Sequence, residues 1–231
     1  MKLVQGSALF LDRDGIVNVD CGYVHRVDQF EFVPGIFELA RFWAELQRPI
    51  VIVTNQSGIG RGLFDEDAYA GLMRWMCDRF EAQGAAIARV YYCPYHPLHG
   101  VGQYRRDHPW RKPNPGMILQ AISDLGLDPG RCVIVGDKIS DIEAGAAAGV
   151  GLRVLVARQP GTSFERALQH EVVADLGEAL ELLRSRFASS AAPHAAHVPK
   201  TARGCCCSYA ARCRQRHCER RRLNPGSSSP S

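Results

Sequence analysis

The chain has 231 residues, enough for one large domain with a tail but tight for two full domains. Its 46% hydrophobic and 23% charged residues are ordinary globular values, which exclude wholesale disorder. Its longest apolar run is far shorter than a membrane span, and its first residues lack the layout of a signal peptide. We therefore expect a cytoplasmic protein without a membrane partner.

The positive charge is concentrated near the C-terminus. The chain carries a net charge of +4, but residues 188–231 hold seven arginines and one lysine against one glutamate, which leaves residues 1–187 at −3. A slightly acidic body argues against a nucleic-acid partner. Five of the nine cysteines also lie in 188–231, and the other four are too sparse for a disulfide framework.

This difference in composition predicts one domain at 1–187 and a disordered tail at 188–231. The tail is rich in Arg, Cys, Ser and Ala, and it has no apolar periodicity with which to build a core. Two alternatives stay open for it. One is an out-of-frame extension of a GC-rich gene, and the other is a thiol metal site or an anion-binding arm.

Short apolar segments alternate with segments of helical periodicity through the body. The predicted strands are rich in β-branched residues and comprise 8–11, 49–53, 88–92, 132–135 and 150–156. The predicted helices are 36–46, 66–81, 117–125 and 141–148. This alternation predicts an α/β fold, a doubly wound (Rossmann-like) parallel sheet with helices on both faces. The long connections 15–34 and 93–115 do not resemble folded domains, so we expect no large cap.

Chemically capable side chains follow the predicted strands, where ligand crevices form in such sheets. An acid pair, a hydroxyl, a lysine and two further acids occur in this order, at Asp12 and Asp14, Thr54, Lys112, and Asp137 and Asp141. Each could alone be a cap or a surface residue. Together they predict phosphoryl transfer to a carboxylate, with one Asp attacking phosphorus while a divalent cation and Lys neutralise its oxygens. A second Asp would protonate the leaving oxygen and then take a proton from water.

These motifs resemble those of the haloacid dehalogenase superfamily of phosphatases. The resemblance is closer to one branch, the D-glycero-D-manno-heptose 1,7-bisphosphate 7-phosphatases and the related histidinol-phosphatases, and it covers about residues 8 to 185. The stretches that carry it are 10–20 (FLDRDGIVNVD), 22–25 (GYVH), 53–62 (VTNQSGIGRG), 91–94 (YYCP), 111–117 (RKPNPGM) and 135–138 (VGDK).

The resemblance implies a Mg²⁺-dependent phosphomonoesterase that removes the 7-phosphate of the heptose bisphosphate through an aspartyl-phosphate. Asp12 would be the nucleophile and Asp14 the acid/base, while Thr54 and Lys112 would stabilise the phosphoryl group. Asp12, the backbone carbonyl of Asp14, and Asp137 would hold the metal. The residues that would bind substrate are Asp20, Cys21, Gly22, Tyr23, Asn55, Gln56, Ser57, Arg111 and Lys138.

The chain departs from this branch at a structural zinc site in the 93–112 loop. The four ligand positions, which the family fills with cysteine and histidine, hold Cys93, Tyr95, His108 and Trp110. Tyrosine is a poor ligand at neutral pH and tryptophan cannot ligate, so we expect no structural zinc. The alternative is a shifted site built from Cys93, His96, His99 and His108.

Three other functions compete with the heptose phosphatase. Histidinol phosphate presents a similar primary phosphate ester, so it is the main rival substrate. A receiver-type signalling domain would need an acceptor Asp after the third strand, where none follows Tyr92 directly. A phosphatase of nucleic-acid ends would use the basic tail as a tether, against the charge of the body. We favour a monomer that acts on a small phosphorylated sugar.

Overall fold

The computed structural model of the chain describes residues 6–157 and 169–187. The predicted tail at 188–231 lies outside these described residues. Six strands are present in the described ranges: β1 (Leu9–Leu11), β2 (Ile50–Asn55), β3 (Ile87–Cys93), β4 (Val133–Gly136), β5 (Leu152–Val156) and β6 (Glu171–Val173). The helices in the same ranges are α1 (Ile36–Glu45), α2 (Ser57–Gly60), α3 (Glu66–Ala82), α4 (Gly116–Leu125), α5 (Ile139–Ala147) and α6 (Leu176–Phe187).

The strands form one parallel sheet in the order β3-β2-β1-β4-β5-β6. The chain winds outward from β1 in one direction through β2 and β3, and in the other through β4 to β6. The topology therefore reverses at β1, and a doubly wound sheet binds its ligands at the carboxyl ends of the strands beside that point. The predicted fold class is confirmed.

The core lies on both faces of the sheet because the central strands are apolar and buried over most of their length. In β1, Leu9 and Leu11 belong to one buried cluster and Phe10 belongs to the other. The first cluster includes Trp43 of α1 and Phe80 of α3, while Ile118 of α4 packs in the second. Strands buried on both faces show continuous apolar runs, the pattern that predicted them.

Glycines follow three of the helices. Gly84, Gly126 and Gly149 follow α3, α4 and α5, and all three have positive φ angles of 77°, 63° and 77°. The left-handed backbone that ends a helix favours glycine, since other residues meet a steric penalty there.

The prediction of five strands and four helices was incomplete, because β6, α2 and α6 were missed. Strand β6 has three residues, of which Val173 alone is buried, so it shows no alternation over a useful length. Helix α6 packs against α1, with the rings of Trp43 and Phe187 5.1 Å apart. Its buried residues Leu176, Ala179, Leu180 and Leu183 do follow helical spacing.

The two long connections carry no large cap domain within the described residues. The connection after β1 contains one short 3₁₀ turn at Val27–Gln29, and the connection after β3 contains another at Gly102–Tyr104. Both loops instead lie against the carboxyl edge of the sheet. No helix in the described part of the chain is long and apolar enough to span a membrane.

Helix α3 offers a test of local stability. The Asp65 carboxylate accepts a hydrogen bond from the backbone N of Ala68 at 2.7 Å and so caps the helix N-terminus. We expect Asp65→Ala to lower the free energy of unfolding by about 1 kcal/mol, the usual contribution of such a cap. The change is measured by urea denaturation.

The matched control is Asp78→Ala, which removes an exposed carboxylate from the body of the same helix. This control should change the free energy of unfolding by less than about 0.5 kcal/mol. Equal losses in the two variants would show that charge, and not the cap, is responsible.

Candidate active site

A crevice at the carboxyl ends of β1, β2 and β4 brings the predicted catalytic residues together. Asp12 directly follows β1, and its backbone N donates to the carbonyl of Val135 in β4 at 3.1 Å. Thr54 lies near the end of β2, and Asp137 directly follows β4. The three residues therefore meet at the reversal point of the sheet, as predicted from their positions after strands.

Lys112 lies at the centre of this crevice and is 4% exposed. Its ammonium pairs with Oδ1 of Asp12 at 2.8 Å and with Oδ1 of Asp141 at 2.5 Å, and it donates to the carbonyl of Val53 at 2.8 Å. Burial acts to lower the pKa of Lys112, but the two carboxylates outweigh it and raise that pKa above its ordinary value. Lys112 is therefore a permanent positive charge beside the predicted nucleophile.

Asn55 fixes the backbone of Lys112. Its side-chain Oδ1 accepts from the Lys112 backbone N at 3.0 Å, and its Nδ2 donates to the Lys112 carbonyl at 3.0 Å. Both ends of the amide are thus used to hold the lysine. The prediction that Asn55 also contacts substrate stays a prediction.

Three carboxylates in this crevice form a possible cation site. Oxygens of Asp12, Asp137 and Asp141 lie within 4.8 Å of one another. Burial raises the pKa of Asp12 to about 7 against the opposing charge of Lys112, and burial raises the pKa of Asp137 to about 6. At both carboxylates burial outweighs the nearby lysine charges, and a bound cation would oppose this effect.

The donor set fits Mg²⁺. Oδ1 of Asp137 is buried and has no hydrogen-bond partner, so its position suits a metal ligand. Asp141 is already held by Lys112 and by the backbone N of Lys138, at 3.0 Å. Gly15 has a φ of 98°, and a Cβ there would lie 2.1 Å from Oδ2 of Asp137, so glycine lets the 14–15 backbone approach that carboxylate. Oxygen ligands from carboxylates and a backbone carbonyl are those that Mg²⁺ prefers.

The Asp14 side chain has different partners from the other carboxylates. Its Oδ1 accepts from Nη2 of Arg13 at 2.6 Å and from Nδ2 of Asn18 at 3.1 Å, and its Oδ2 accepts from Nε2 of Gln56 at 2.8 Å. Gln56 also donates to Thr54 Oγ1 at 2.9 Å. Both oxygens of the Asp14 carboxylate are therefore engaged by neighbouring side chains, and the predicted metal contact of Asp14 is its backbone carbonyl.

Sequence reasoning missed Arg13 and Asn18 as supports of this carboxylate. Both side chains are fully buried, and Arg13 also donates to the carbonyl of Val24 at 2.8 Å. The sequence contained one signal, a charged residue between two acids at the end of an apolar strand. Its burial depends on the long loop that covers it, which no local pattern revealed.

The predicted substrate-binding residues lie in the loops and helix starts at this edge. Lys138 pairs with Asp20 at 3.1 Å, and the backbone N of Gly22 donates to the Asp20 carboxylate at 3.1 Å. Arg111 donates to the carbonyl of Tyr95 at 3.2 Å and is partly buried. Other members of the set are exposed Cys21 and Tyr23, and Ser57 at the start of α2. Their contacts with substrate stay predictions.

The residues at the positions where the resemblance places zinc ligands contact one another. The ring of Tyr95 stacks on His108 at 4.2 Å, and Nδ1 of His108 accepts from the backbone N of Trp110 at 3.1 Å. Nδ1 of His96 accepts from the backbone N of His99 at 3.1 Å. Across residues 6–157 and 169–187, no group of close metal ligands includes Cys93 or these histidines.

Known proteins are similar to this chain in sequence and in fold. The family model for HAD-hydrolase-like proteins matches residues 109–179. A D-glycero-alpha-D-manno-heptose-1,7-bisphosphate 7-phosphatase of Burkholderia mallei is 51% identical over 153 residues, 66% of this chain and 81% of the relative. A D-glycero-beta-D-manno-heptose-1,7-bisphosphate 7-phosphatase of Yersinia pestis is 40% identical over 181 residues, 78% of this chain and 96% of the relative.

A solved structure is also similar. It is a D,D-heptose 1.7-bisphosphate phosphatase from B. bronchiseptica complexed with magnesium and phosphate. It is 27% identical and has a TM-score of 0.66, with 78% of this chain and 99% of that chain covered. The likeness therefore extends over nearly the whole of that structure.

Cys93 provides a test of the zinc prediction. Burial raises the pKa of the Cys93 thiol to about 11, whereas zinc binds the thiolate. We expect Cys93→Ser to leave the zinc content of the purified protein unchanged in metal analysis. At pH 8, site-resolved mass spectrometry should show iodoacetamide labelling of exposed Cys21 and little labelling of Cys93. One tightly held zinc per chain that is lost in Cys93→Ser or His96→Ala would instead establish the shifted site.

Proposed function

This chain belongs to the haloacid dehalogenase family of phosphatases, and from its site we propose that it is a Mg²⁺-dependent phosphomonoesterase. Its proposed reaction removes the 7-phosphate of D-glycero-D-manno-heptose 1,7-bisphosphate. The observation that carries this proposal is the buried ion-pair set, in which Lys112 joins Asp12 to Asp141 beside the unpartnered oxygen of Asp137. The names of the relatives support the sugar and the position of the phosphate.

The first step transfers the phosphoryl group to Asp12. A carboxylate oxygen of Asp12 attacks phosphorus, the bond from phosphorus to the sugar oxygen breaks, and Asp14 gives that oxygen its proton. Lys112 neutralises negative charge on the transferring group, while Thr54 offers its hydroxyl to the same oxygens. Mg²⁺ held by Asp12, Asp137 and the Asp14 carbonyl would supply further charge neutralisation.

The second step returns Asp12 to its starting state. Asp14, now ionised, takes a proton from water, and the water oxygen attacks the phosphorus of the aspartyl-phosphate. The bond between phosphorus and the Asp12 oxygen then breaks, which releases inorganic phosphate. One carboxyl group can serve both steps because the proton that it gives in the first is recovered in the second.

The rival assignments differ in their fit to the site. A receiver domain needs an acceptor Asp after β3, whereas that strand ends at Cys93. Histidinol phosphate and the two heptose anomers are separated by a phosphate-release panel that also contains fructose bisphosphate. We expect the fastest release from a heptose bisphosphate. A monomeric state and a cytoplasmic location stay predictions.

The nucleophile is tested by Asp12→Asn, which keeps the shape but removes the attacking negative charge. We expect the rate to fall at least about a thousandfold, which corresponds to roughly 4 kcal/mol of activation free energy. Asp14→Asn should also reduce turnover, most strongly for substrates whose poor leaving groups need a proton. The measurement is steady-state phosphate release with Mg²⁺.

Trapping of the phosphorylated enzyme provides the matching readout. Acid-quenched wild-type protein should carry an acid-stable, base-labile phosphoryl group, and Asp12→Asn should carry none. Near-native turnover by Asp12→Asn would show that another residue is the nucleophile.

Neighbouring Arg111 and Lys112 should have separate roles. Lys112 contacts the nucleophile, so Lys112→Ala should strongly lower kcat on every substrate. Arg111 instead donates to the carbonyl of Tyr95, so Arg111→Ala should mainly reduce the preference for heptose bisphosphate over heptose 7-phosphate. Circular dichroism checks folding, since loss of Lys112 leaves two buried carboxylates without their partner. Equal losses on both substrates for Arg111→Ala would contradict this division.

A further inference from the structure

A cavity of about 420 Å³ lies at the edge of the sheet opposite the candidate active site. Two of the residues that line it, Ser7 and Arg131, precede β1 and β4, whereas Asp12 and Asp137 follow the same two strands. The cavity is therefore formed where the parallel strands begin, a strand's length away from the candidate catalytic carboxylates. Its volume is in the range of pockets that bind small organic molecules. No step of the proposed reaction uses it.

Three arginines from separate parts of the chain line this cavity. Arg48 lies before β2, Arg131 before β4, and Arg186 near the end of α6. None of the described residues in the lining is acidic, although Arg186 also pairs with Glu171 at 2.9 Å. Burial lowers the pKa of Arg48 and the charge of Arg131 adds to this effect, in keeping with the cavity that they share. The cavity therefore has an excess of positive charge.

Two aromatic rings orient the guanidinium group of Arg48. Its central carbon lies 5.5 Å from the centre of the Trp43 ring and 5.3 Å from the centre of the Phe187 ring. The two rings meet edge to face at 5.1 Å. Stacking engages the faces of a guanidinium group, whereas its five N–H donors lie in its plane and can form a fork around an anion. Arg48 is therefore held in an orientation that suits an anion contact.

A buried hydroxyl group in the lining of the same cavity lacks a hydrogen-bond partner. Ser7 is 4% exposed, and its Oγ forms no hydrogen bond with the described residues. A buried polar group without a partner costs free energy, so its presence calls for an occupant such as a ligand or an ion. An anion oxygen in the cavity would accept from this hydroxyl group. Ser7 is thus a sign of a ligand that is independent of the arginines.

Backbone contacts fix the frame of the cavity. The backbone N of Gly151 donates to the carbonyl of Pro129 at 3.0 Å, and a Cβ at Gly151 would lie 2.0 Å from the carbonyl oxygen of Gly130. The segments that lead into β4 and β5 are therefore in direct contact. Leu152 and Phe187 add apolar surface to the lining. An inorganic anion would leave this surface unused, whereas an organic ligand would cover it.

We propose that this cavity is a second ligand site, which binds a small organic phosphate. Arg48, Arg131 and Ser7 hold its phosphoryl oxygens. Leu152 and Phe187 contact its organic part. A phosphate ester suits the two arginines because it carries about two negative charges at pH 7 and its oxygens match the paired N–H groups of guanidinium. The site is distinct from the candidate active site and does not depend on the proposed phosphatase activity.

Phenylglyoxal labelling with site-resolved mass spectrometry locates binding on individual arginines. The full chain is labelled in EDTA, so that no probe is hydrolysed, with ADP, fructose 1,6-bisphosphate, inorganic phosphate, adenosine or fructose present. We expect ADP or fructose 1,6-bisphosphate to slow the labelling of Arg48 and Arg131. Labelling of Arg184, which is exposed on α6 outside the cavity, should stay unchanged. Inorganic phosphate should protect less at equal concentration, and uncharged adenosine and fructose should not protect.

Arginine variants show whether the cavity residues make the contacts. The dissociation constant is the probe concentration that half-protects the remaining cavity arginine. Arg48→Met keeps an aliphatic stem against the rings but removes the charge, and Arg131→Ala removes a charge at the rim. Each should weaken binding roughly 10-fold to 100-fold, the range for losing a hydrogen bond to a charged group. The matched control is Arg184→Ala, which removes an exposed arginine that pairs with Glu181 at 2.8 Å and should leave binding unchanged.

Ser7→Ala separates binding from structure. Because the Ser7 hydroxyl has no partner among the described residues, its loss should leave the free energy of unfolding unchanged or higher in urea denaturation. We expect the same variant to weaken binding of the protecting probe at least about 5-fold, as for the loss of one hydrogen bond. A residue with a purely structural role would show the opposite pattern, lower stability with unchanged binding.

Three results would overturn this site. One is the absence of protection of Arg48 and Arg131 by both organic phosphates. Another is equal protection by inorganic phosphate, since the organic part would then contribute nothing. The third is unchanged binding in Arg131→Ala and Ser7→Ala. The proposed phosphatase activity is judged separately by phosphate release, and a chain that binds these probes at the cavity but releases no phosphate would support the site and refute that activity.

Discussion

The ion pairs of Lys112 are the interaction on which the rest of the site depends. The lysine reaches the crevice from the loop after β3, Asp12 from the end of β1, and Asp141 from α5. Three separate segments therefore converge on one ammonium group. Breaking a buried ion pair leaves uncompensated charges in the protein interior, which is strongly destabilising. These ion pairs therefore hold the loop and the helix against the sheet. The same contacts place positive charge where a phosphoryl group would be transferred.

Asp141 connects this electrostatic centre to local helix structure. Its carboxylate accepts from the backbone N of Lys138 and so forms part of the cap of α5, while its other oxygen meets Lys112. A Cβ at Gly136 would lie 2.3 Å from the Asp141 Cβ, so glycine lets the start of α5 approach the end of β4. Helix capping and charge placement are therefore one arrangement here, and Asp141 is a positioning residue for Lys112.

The sequence predicted the central sheet and the positions of the candidate catalytic carboxylates for one physical reason. Buried parallel strands are apolar throughout, and polar residues directly after them must lie at the carboxyl edge. Asp12, Thr54 and Asp137 were located in this way. Lys112 was included through its place in the ordered set of polar residues, although it ends a long loop whose path has no periodic signal.

The supports of the site were harder to predict because they depend on loop paths. Arg13 is charged but fully buried, and its burial follows from the chain that folds over it at Val24. Nothing in the sequence distinguishes Arg61 from an ordinary surface residue, because its contact with the Tyr23 ring depends on the path of the loop after β1. Strand β6 was missed because three residues cannot show alternation, whereas α6 had helical spacing that a longer reading would have detected.

A Cβ at Gly60 would lie 2.2 Å from the carbonyl oxygen of Pro94, and this close approach has a consequence for the energetics of recognition. Because these backbones touch, the loop that presents Arg111 is ordered when the protein folds and not when a ligand arrives. Binding then avoids much of the entropy loss that accompanies the ordering of a loop, and a larger part of the contact energy appears as affinity. Such preorganisation also limits the range of ligands. Binding a ligand of a different shape would require side-chain substitutions, since the backbone of this loop has little freedom to move.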